Sequence, residues 1–162
     1  MAKKELIILC DSLRDPRDLA QLIHLSLATN TKLELTGSSL APNHPKVLNI
    51  VNSWLPGFRA SPNLKLVSQR GDFFRRVAEL KKRGFAVAGT SSHEGKPLFK
   101  AGLSKGKHAI VFGTETSGLS ESKMKAMDSM LQVPMKNGTK FFTLGTIVPV
   151  FAYEALRQKK LL

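Results

Sequence analysis

Short apolar runs alternate along this chain with stripes of apolar residues at helical spacing. That alternation restricts the fold more than any other feature. The runs are Leu6-Ile7-Ile8-Leu9-Cys10, Lys32-Leu33-Glu34-Leu35-Thr36, Leu64-Lys65-Leu66-Val67, Phe85-Ala86-Val87-Ala88-Gly89, Ala109-Ile110-Val111-Phe112 and Met130-Leu131-Gln132-Val133. Most end at Gly, Pro, Asn or Ser, as buried strands do. Helices are predicted between them. Pro16 suits a helix start, and Leu19, Leu22, Ile23, Ser26 and Leu27 follow as one stripe. Pro45 to Trp54 repeats the pattern with Val47, Leu48, Ile50, Val51 and Trp54. Asp72 to Arg83 places Phe73, Val77 and Leu80 on one side, with Arg75, Arg76, Lys81, Lys82 and Arg83 forming a solvated face or an RNA contact, and Gly84 stops it. Ser120 caps a short helix carrying Met124 and Met127, and a last helix runs from about Thr146 to Lys159 despite Pro149. Strands alternating with helices predict an α/β domain with a mostly parallel sheet flanked by helices. Such sheets bind ligands beyond the carboxyl ends of their strands, which directs attention to the loops after Phe112 and Val133. A length of 162 residues fits one domain over 1–162.

Charge narrows the partners. The formal net charge is +13. Between Lys65 and Lys107 eleven basic residues face three acidic ones, a net of +8. A chain so charged attracts polyanions, and nucleic acid is the expected partner. No apolar run is long enough to span a membrane, so none is expected as a partner. The apolar stretch after Met1-Ala2-Lys3-Lys4-Glu5 is too short for a signal peptide and reads as a strand. Cys10 is the single cysteine, which excludes an internal disulfide and fits a cytoplasmic location. It is expected in the core. His44, His93 and His108 lack metal-ligand spacing, and no metal is expected.

The segment Phe112-Gly113-Thr114-Glu115-Thr116-Ser117-Gly118-Leu119-Ser120 follows a predicted strand. It is neither a Walker loop nor G-x-G-x-x-G. Its mechanics suit a ligand loop and a plain strand–helix turn equally.

Together with the preceding Ile110-Val111, this segment resembles the second motif, a strand followed by G-x-E-x-x-G-L, of the SPOUT superfamily of RNA methyltransferases, SpoU/TrmH class. Val133-Pro134-Met135 is similar to that family's I-P-M. Asp15-Pro16-Arg17-Asp18-Leu19-Ala20-Gln21-Leu22-Ile23-His24 is similar to its first motif, P-x-N-x-G-x-I-I-R. The stretch from Phe141 through Gln158 resembles its third motif and helix. The resemblance covers nearly the whole chain. It implies a C-terminal trefoil knot, an exception to unknotted chains. It also implies a homodimer with the site near the subunit interface, S-adenosylmethionine as cofactor, and tRNA or rRNA as substrate. Backbone around Gly89, Thr90, Gly113, Val133, Met135 and Leu144 is implied to hold the donor.

Several motif positions depart from the family. Asp18 matches the family's Asn, and His24 matches its Arg. Phe141-Phe142-Thr143, or with a gap Thr143-Leu144-Gly145, matches its Ser-Leu-Asn. Glu115 is retained. Ribose methylation removes the 2′-OH proton as the oxygen attacks, and free imidazole titrates near the operating pH. His24 is therefore the candidate base, with Arg17, on the same helical face, or Arg14 binding phosphate. Glu115 and Thr143 complete the candidate catalytic set, although Glu115 could equally shape its own loop through backbone amides. Phe141 and Phe142 could fill part of the donor space, and Phe73, Phe74 and Phe85 are expected in the core. The leading expectation is 2′-O-methylation of tRNA or rRNA. The alternatives are a catalytically inactive RNA-binding module and an enzyme modifying a base.

Overall fold

The computed structural model of the chain describes residues 3–55 and 64–162. Met1 and Ala2, which head the basic lead-in, lie outside them. The elements are β1 (Glu5–Asp11), α1 (Pro16–Thr29), β2 (Lys32–Thr36), α2 (Pro45–Trp54), β3 (Val67–Gln69), α3 (Phe73–Lys82), β4 (Phe85–Thr90), β5 (Lys96–Pro97), β6 (Lys107–Phe112), α4 (Glu121–Lys125), β7 (Ser129–Gln132) and α5 (Leu144–Lys159). The strands form one seven-stranded sheet in the order β3-β2-β1-β6-β4-β7-β5. Every pairing is parallel.

Alternation along β1 explains how both faces are covered. Leu6, Ile8 and Cys10 pack with α1, α2 and α5 through Leu19, Ile23, Val51 and Phe151. Ile7 and Leu9 point the other way, onto Phe73, Val77 and Leu80 of α3. A strand buried on both faces must read as a continuous apolar run, as this one does. Cys10 is buried as expected, and burial pushes its thiol far up, so it stays protonated.

Local chemistry sets the helix ends. The Asp15 carboxylate accepts from the Arg17 and Asp18 amides ahead of Pro16. Asp72 accepts from Arg75 N, and Ser120 from Lys123 N. Gly84 ends α3 at φ +81°. Pro149 lies inside α5 and removes the donor that would meet the Gly145 carbonyl.

Five expectations need correction. Leu64–Leu66 form a 3-10 turn, and the strand starts at Val67, because only Val67–Gln69 pair with β2 at the sheet edge. β5 was not anticipated; it is two residues held by register on Leu131 and Gln132. α5 begins at Leu144, earlier than Thr146. Arg76 is not on the solvated face: its guanidinium is buried and forms a fork on Glu34 of β2 at 2.7 and 2.6 Å. Phe74 is exposed, edge-on to Phe73. Among the described residues no helix is long and apolar enough to cross a membrane.

Candidate functional site

The sheet reverses its direction of growth between β1 and β6, which places the loops after these strands side by side. Glu115 ties them together. Its Oε1 accepts from the Arg14 amide at 3.1 Å and the Asp15 amide at 3.2 Å. The loop after β6 also folds on itself. Thr114 and Gly118 exchange backbone hydrogen bonds at 3.2 and 3.0 Å, with Gly118 at φ +66°. A Cβ on Gly113 would collide with the backbone of Gly118 and Leu119, so this fold of the loop needs glycine there.

Beyond the carboxyl ends of β4, β6 and β7 lies a cavity of about 460 Å³. Its apolar wall includes Phe112, Leu119, Val133, Leu144, Ile147 and Phe151. Phe112 and Phe151 meet edge to face at 5.3 Å, which stiffens that wall. Ser91, His93, Glu94, Thr114, Glu115 and Lys140 supply polar lining. The site thus pairs an apolar surface with two carboxylates and loop backbone.

Of the residues expected to hold a donor, Thr90, Gly113, Val133, Met135 and Leu144 all line this cavity. Gly89 is not among the lining residues. A Cβ there would strike Met127 and Met130, so the glycine lets β4 pack against them. Of the expected catalytic residues, Glu115 alone lines the cavity. Thr143 precedes α5, with its hydroxyl 3.2 Å from that of Thr146. Its flanking residues Phe142 and Leu144 line the cavity.

Arg17 and His24 sit exposed on α1 and are not lining residues. The His24 ring lies 6.1 Å from that of Trp54 on α2. Asp18, in contrast, turns inward. Its Oδ1 accepts from Gly145 N at 3.1 Å, capping α5 from a neighbouring helix. Burial raises the Asp18 carboxyl above its ordinary value, and the Gly145 bond opposes this. Gly145 permits the approach, since a Cβ would strike Gln21 and Asp18.

His93, Glu94 and Lys140 were not anticipated at the site. His93 and Glu94 follow the end of β4 closely, and a ligand loop is expected after any strand of a parallel sheet. Phe141 and Phe142 line the cavity while remaining exposed at 63% and 46%. Among the described residues, no group of three His, Cys, Asp or Glu side chains is placed to hold a metal ion.

Comparisons with known proteins agree with this architecture. An uncharacterised tRNA/rRNA methyltransferase of Synechocystis is 25% identical over 154 residues, which cover 94% of this chain and 38% of that protein. The chain therefore spans well under half of that relative's length. The SpoU methyltransferase AviRb of Streptomyces viridochromogenes, solved with AdoMet, superposes with a TM-score of 0.81 at 20% identity, over 99% of this chain and 60% of its own. A structure concerned with 2-OH methylation of C/U34 on tRNA superposes with a TM-score of 0.79 at 24% identity, over 97% of both chains. The family model of the SpoU rRNA Methylase family matches residues 5–153. With every strand of the sheet inside that match, the chain is a member of the SpoU rRNA Methylase family.

Proposed function

We propose that this chain is an S-adenosylmethionine-dependent RNA methyltransferase that modifies the ribose 2′-OH of tRNA or rRNA. One observation carries the reading: Thr90, Gly113, Val133, Met135 and Leu144, far apart in sequence, converge on a single cavity. Its volume of about 460 Å³ falls within the roughly 300–1,000 Å³ of small-molecule sites. The donor's chemistry fits the lining. Phe112, Leu119 and Phe151 offer apolar surface to a flat base, and Glu94 and Glu115 favour the donor's positive groups. When bound, the donor supplies a methyl group on a positively charged sulfur. The apolar wall excludes water, and Glu115 keeps the loop after β6 closed through the Arg14 and Asp15 amides.

His24 is the group we assign to take the 2′-OH proton, with Arg17 binding the neighbouring phosphate. Neither lines the cavity of its own protomer. The assignment therefore rests on a homodimer in which α1 of one protomer faces the cavity of its partner. Val150 and Tyr153 of α5, exposed at 37% and 46%, offer apolar surface for such a dimer. The trefoil knot implied by the family resemblance is supported by strand order. β7 enters between β4 and β5, both formed earlier in the chain, and Gly95 lies against the Met130 backbone.

A second reading has its own observation. Asp18 is engaged with the Gly145 amide and His24 with Trp54, as suits an RNA-binding module without catalysis. Calorimetric titration with S-adenosylmethionine and S-adenosylhomocysteine tests the cavity. Transfer of a labelled methyl group to RNA, followed by nucleoside analysis, separates enzyme from module and ribose from base. Saturable binding with 2′-O-methyl product is the expected result; binding without transfer would favour the module.

A further inference from the structure

The cations of this protein are distributed unevenly between the two ends of its sheet. Register places Glu5, Lys107 and Phe85, which open β1, β6 and β4, in a row, and Lys32, which opens β2, beside Ile7. These starts form the amino edge, opposite the cavity. The lysine and arginine side chains converge there from distant parts of the chain. Arg83 Cζ lies 5.3 Å from the Phe85 ring centroid, and Lys107 Nζ lies 5.6 Å from it. Lys107 Nζ also donates to the Arg83 carbonyl at 3.0 Å. Lys82 and Lys105, both exposed, flank this pair in sequence.

The acids at this edge are Glu5, engaged with Lys32 at 2.9 Å, and Asp128 ahead of β7, engaged with Lys81 at 2.8 Å. Although partial burial acts to raise it, the Glu5 carboxyl is held below its ordinary value by Lys32 and by the nearby charges of Lys3 and Arg83. Asp11, Asp15, Asp18, Glu94 and Glu115 lie instead at the carboxyl end, on or beside the cavity loops. Both ends of a merely solubilising surface would show mixed charge. Here the carboxyl end is mixed, whereas at the amino end Glu5 and Asp128 are each held by a lysine and the cations outnumber them.

We propose that the amino edge of the sheet, centred on Lys82, Arg83, Lys105 and Lys107, is a second contact surface for the RNA, gripping its phosphate backbone away from the reacting nucleotide. This rests on the RNA reading above. Strand spacing of about 4.8 Å puts the row from β2 to β4 at roughly 14 Å. That length can follow several phosphates. A strand such as β6 holds this edge roughly 20 Å from the cavity end, at about 3.3 Å per residue. The substrate must therefore extend at least about 20 Å from the reacting nucleotide, around the sheet. Recognition here is of charge and shape, without base readout.

The test uses the full chain, an unmodified tRNA transcript as probe, and a triple variant with Lys82→Ala, Arg83→Ala and Lys105→Ala. Binding is measured across a salt series. Each lost phosphate contact should flatten the slope of log affinity against log salt by about 0.7–0.9. The variant should lose at least tenfold in affinity, and its slope should be shallower by about 2. The charge-preserving variant with Lys82→Arg, Arg83→Lys and Lys105→Arg should bind like wild type. S-adenosylhomocysteine titration and a thermal melt show that each variant is folded. Equal affinity and slope in wild type and the Ala variant would overturn the proposal while leaving the RNA reading intact. A wild type that binds no tRNA at low salt would overturn both. Vesicles of anionic phospholipid bound as tightly as tRNA, with the same loss in the Ala variant, would reassign the surface to lipid phosphate and overturn it as well.

Discussion

Lys159 Nζ lies 2.9 Å from His108 Nδ1 and donates to the Gly106 carbonyl at 2.8 Å, with the lysine fully buried. The pair joins the end of α5 to the start of β6. A lysine ammonium is donor only, so the imidazole must accept at Nδ1 and stay neutral. Burial first, and the Lys159 charge second, push the His108 imidazole down to about 4. An unfolded histidine titrates near 6.5. Between these values the unfolded chain binds the extra proton, so stability falls as pH drops from 6.5 to about 4. The loss amounts to about 3 kcal/mol at most. His108→Gln keeps an acceptor for Lys159 without the titration. Urea denaturation across this window should show a smaller acid-induced loss in the variant. Identical pH profiles would rule out the linkage.

The fork between Arg76 and Glu34 joins α3 to β2 inside the lower-dielectric side of the sheet. Removing one partner strands the other as a buried charge. Arg76→Met should therefore cost about 3 kcal/mol or more. Arg70 Nε, 3.4 Å from Glu34, recovers part of this. Adding Glu34→Leu removes the stranded carboxylate and should restore most of the stability. A double-mutant cycle by chemical denaturation measures the coupling. Additive effects would mean that the pair contributes nothing specific.

Arg76 also illustrates how far the sequence could be read. It lies three residues after Phe73 and four before Leu80, on the apolar stripe, yet its charge suggested solvent. The buried partner Glu34 sits in a strand more than one element away, and no local pattern links them. β1 was legible as an unbroken apolar run, and α1 because its period of 3.6 persists over several turns. β5 was not, since Lys96-Pro97 has no period and exists only by register on β7. At the site, five of the six positions named through the family resemblance, Thr90, Gly113, Val133, Met135 and Leu144, line one cavity, a convergence that no local pattern in the sequence encodes. The engagement of Asp18 with Gly145 was not anticipated, because it depends on how α1 crosses α5.

Gly113 offers a direct test of the loop. A Cβ there meets backbone rather than a flexible side chain, so the loop itself must move. Gly113 is buried but lies in the loop beyond the end of β6 rather than in the sheet, and the domain should remain folded. Gly113→Ala should reduce S-adenosylhomocysteine affinity by about tenfold or more, equivalent to about 1.4 kcal/mol. Calorimetry reads the affinity, and circular dichroism reads the fold. Wild-type affinity would show that ligand binding does not depend on this loop conformation.

His24 separates position from role. The side chain is exposed on α1, so His24→Ala should change stability by no more than about 0.5 kcal/mol. It is outside the cavity lining, so S-adenosylhomocysteine affinity should stay as in wild type. If His24 takes the ribose proton across a dimer, labelled methyl transfer to RNA should nevertheless be abolished. Mixing His24→Ala protein with Gly113→Ala protein should then restore part of the transfer, because a mixed dimer pairs one intact cavity with one intact imidazole. Undiminished transfer by His24→Ala alone would remove this residue from the mechanism. Loss without restoration on mixing would place its action within its own protomer.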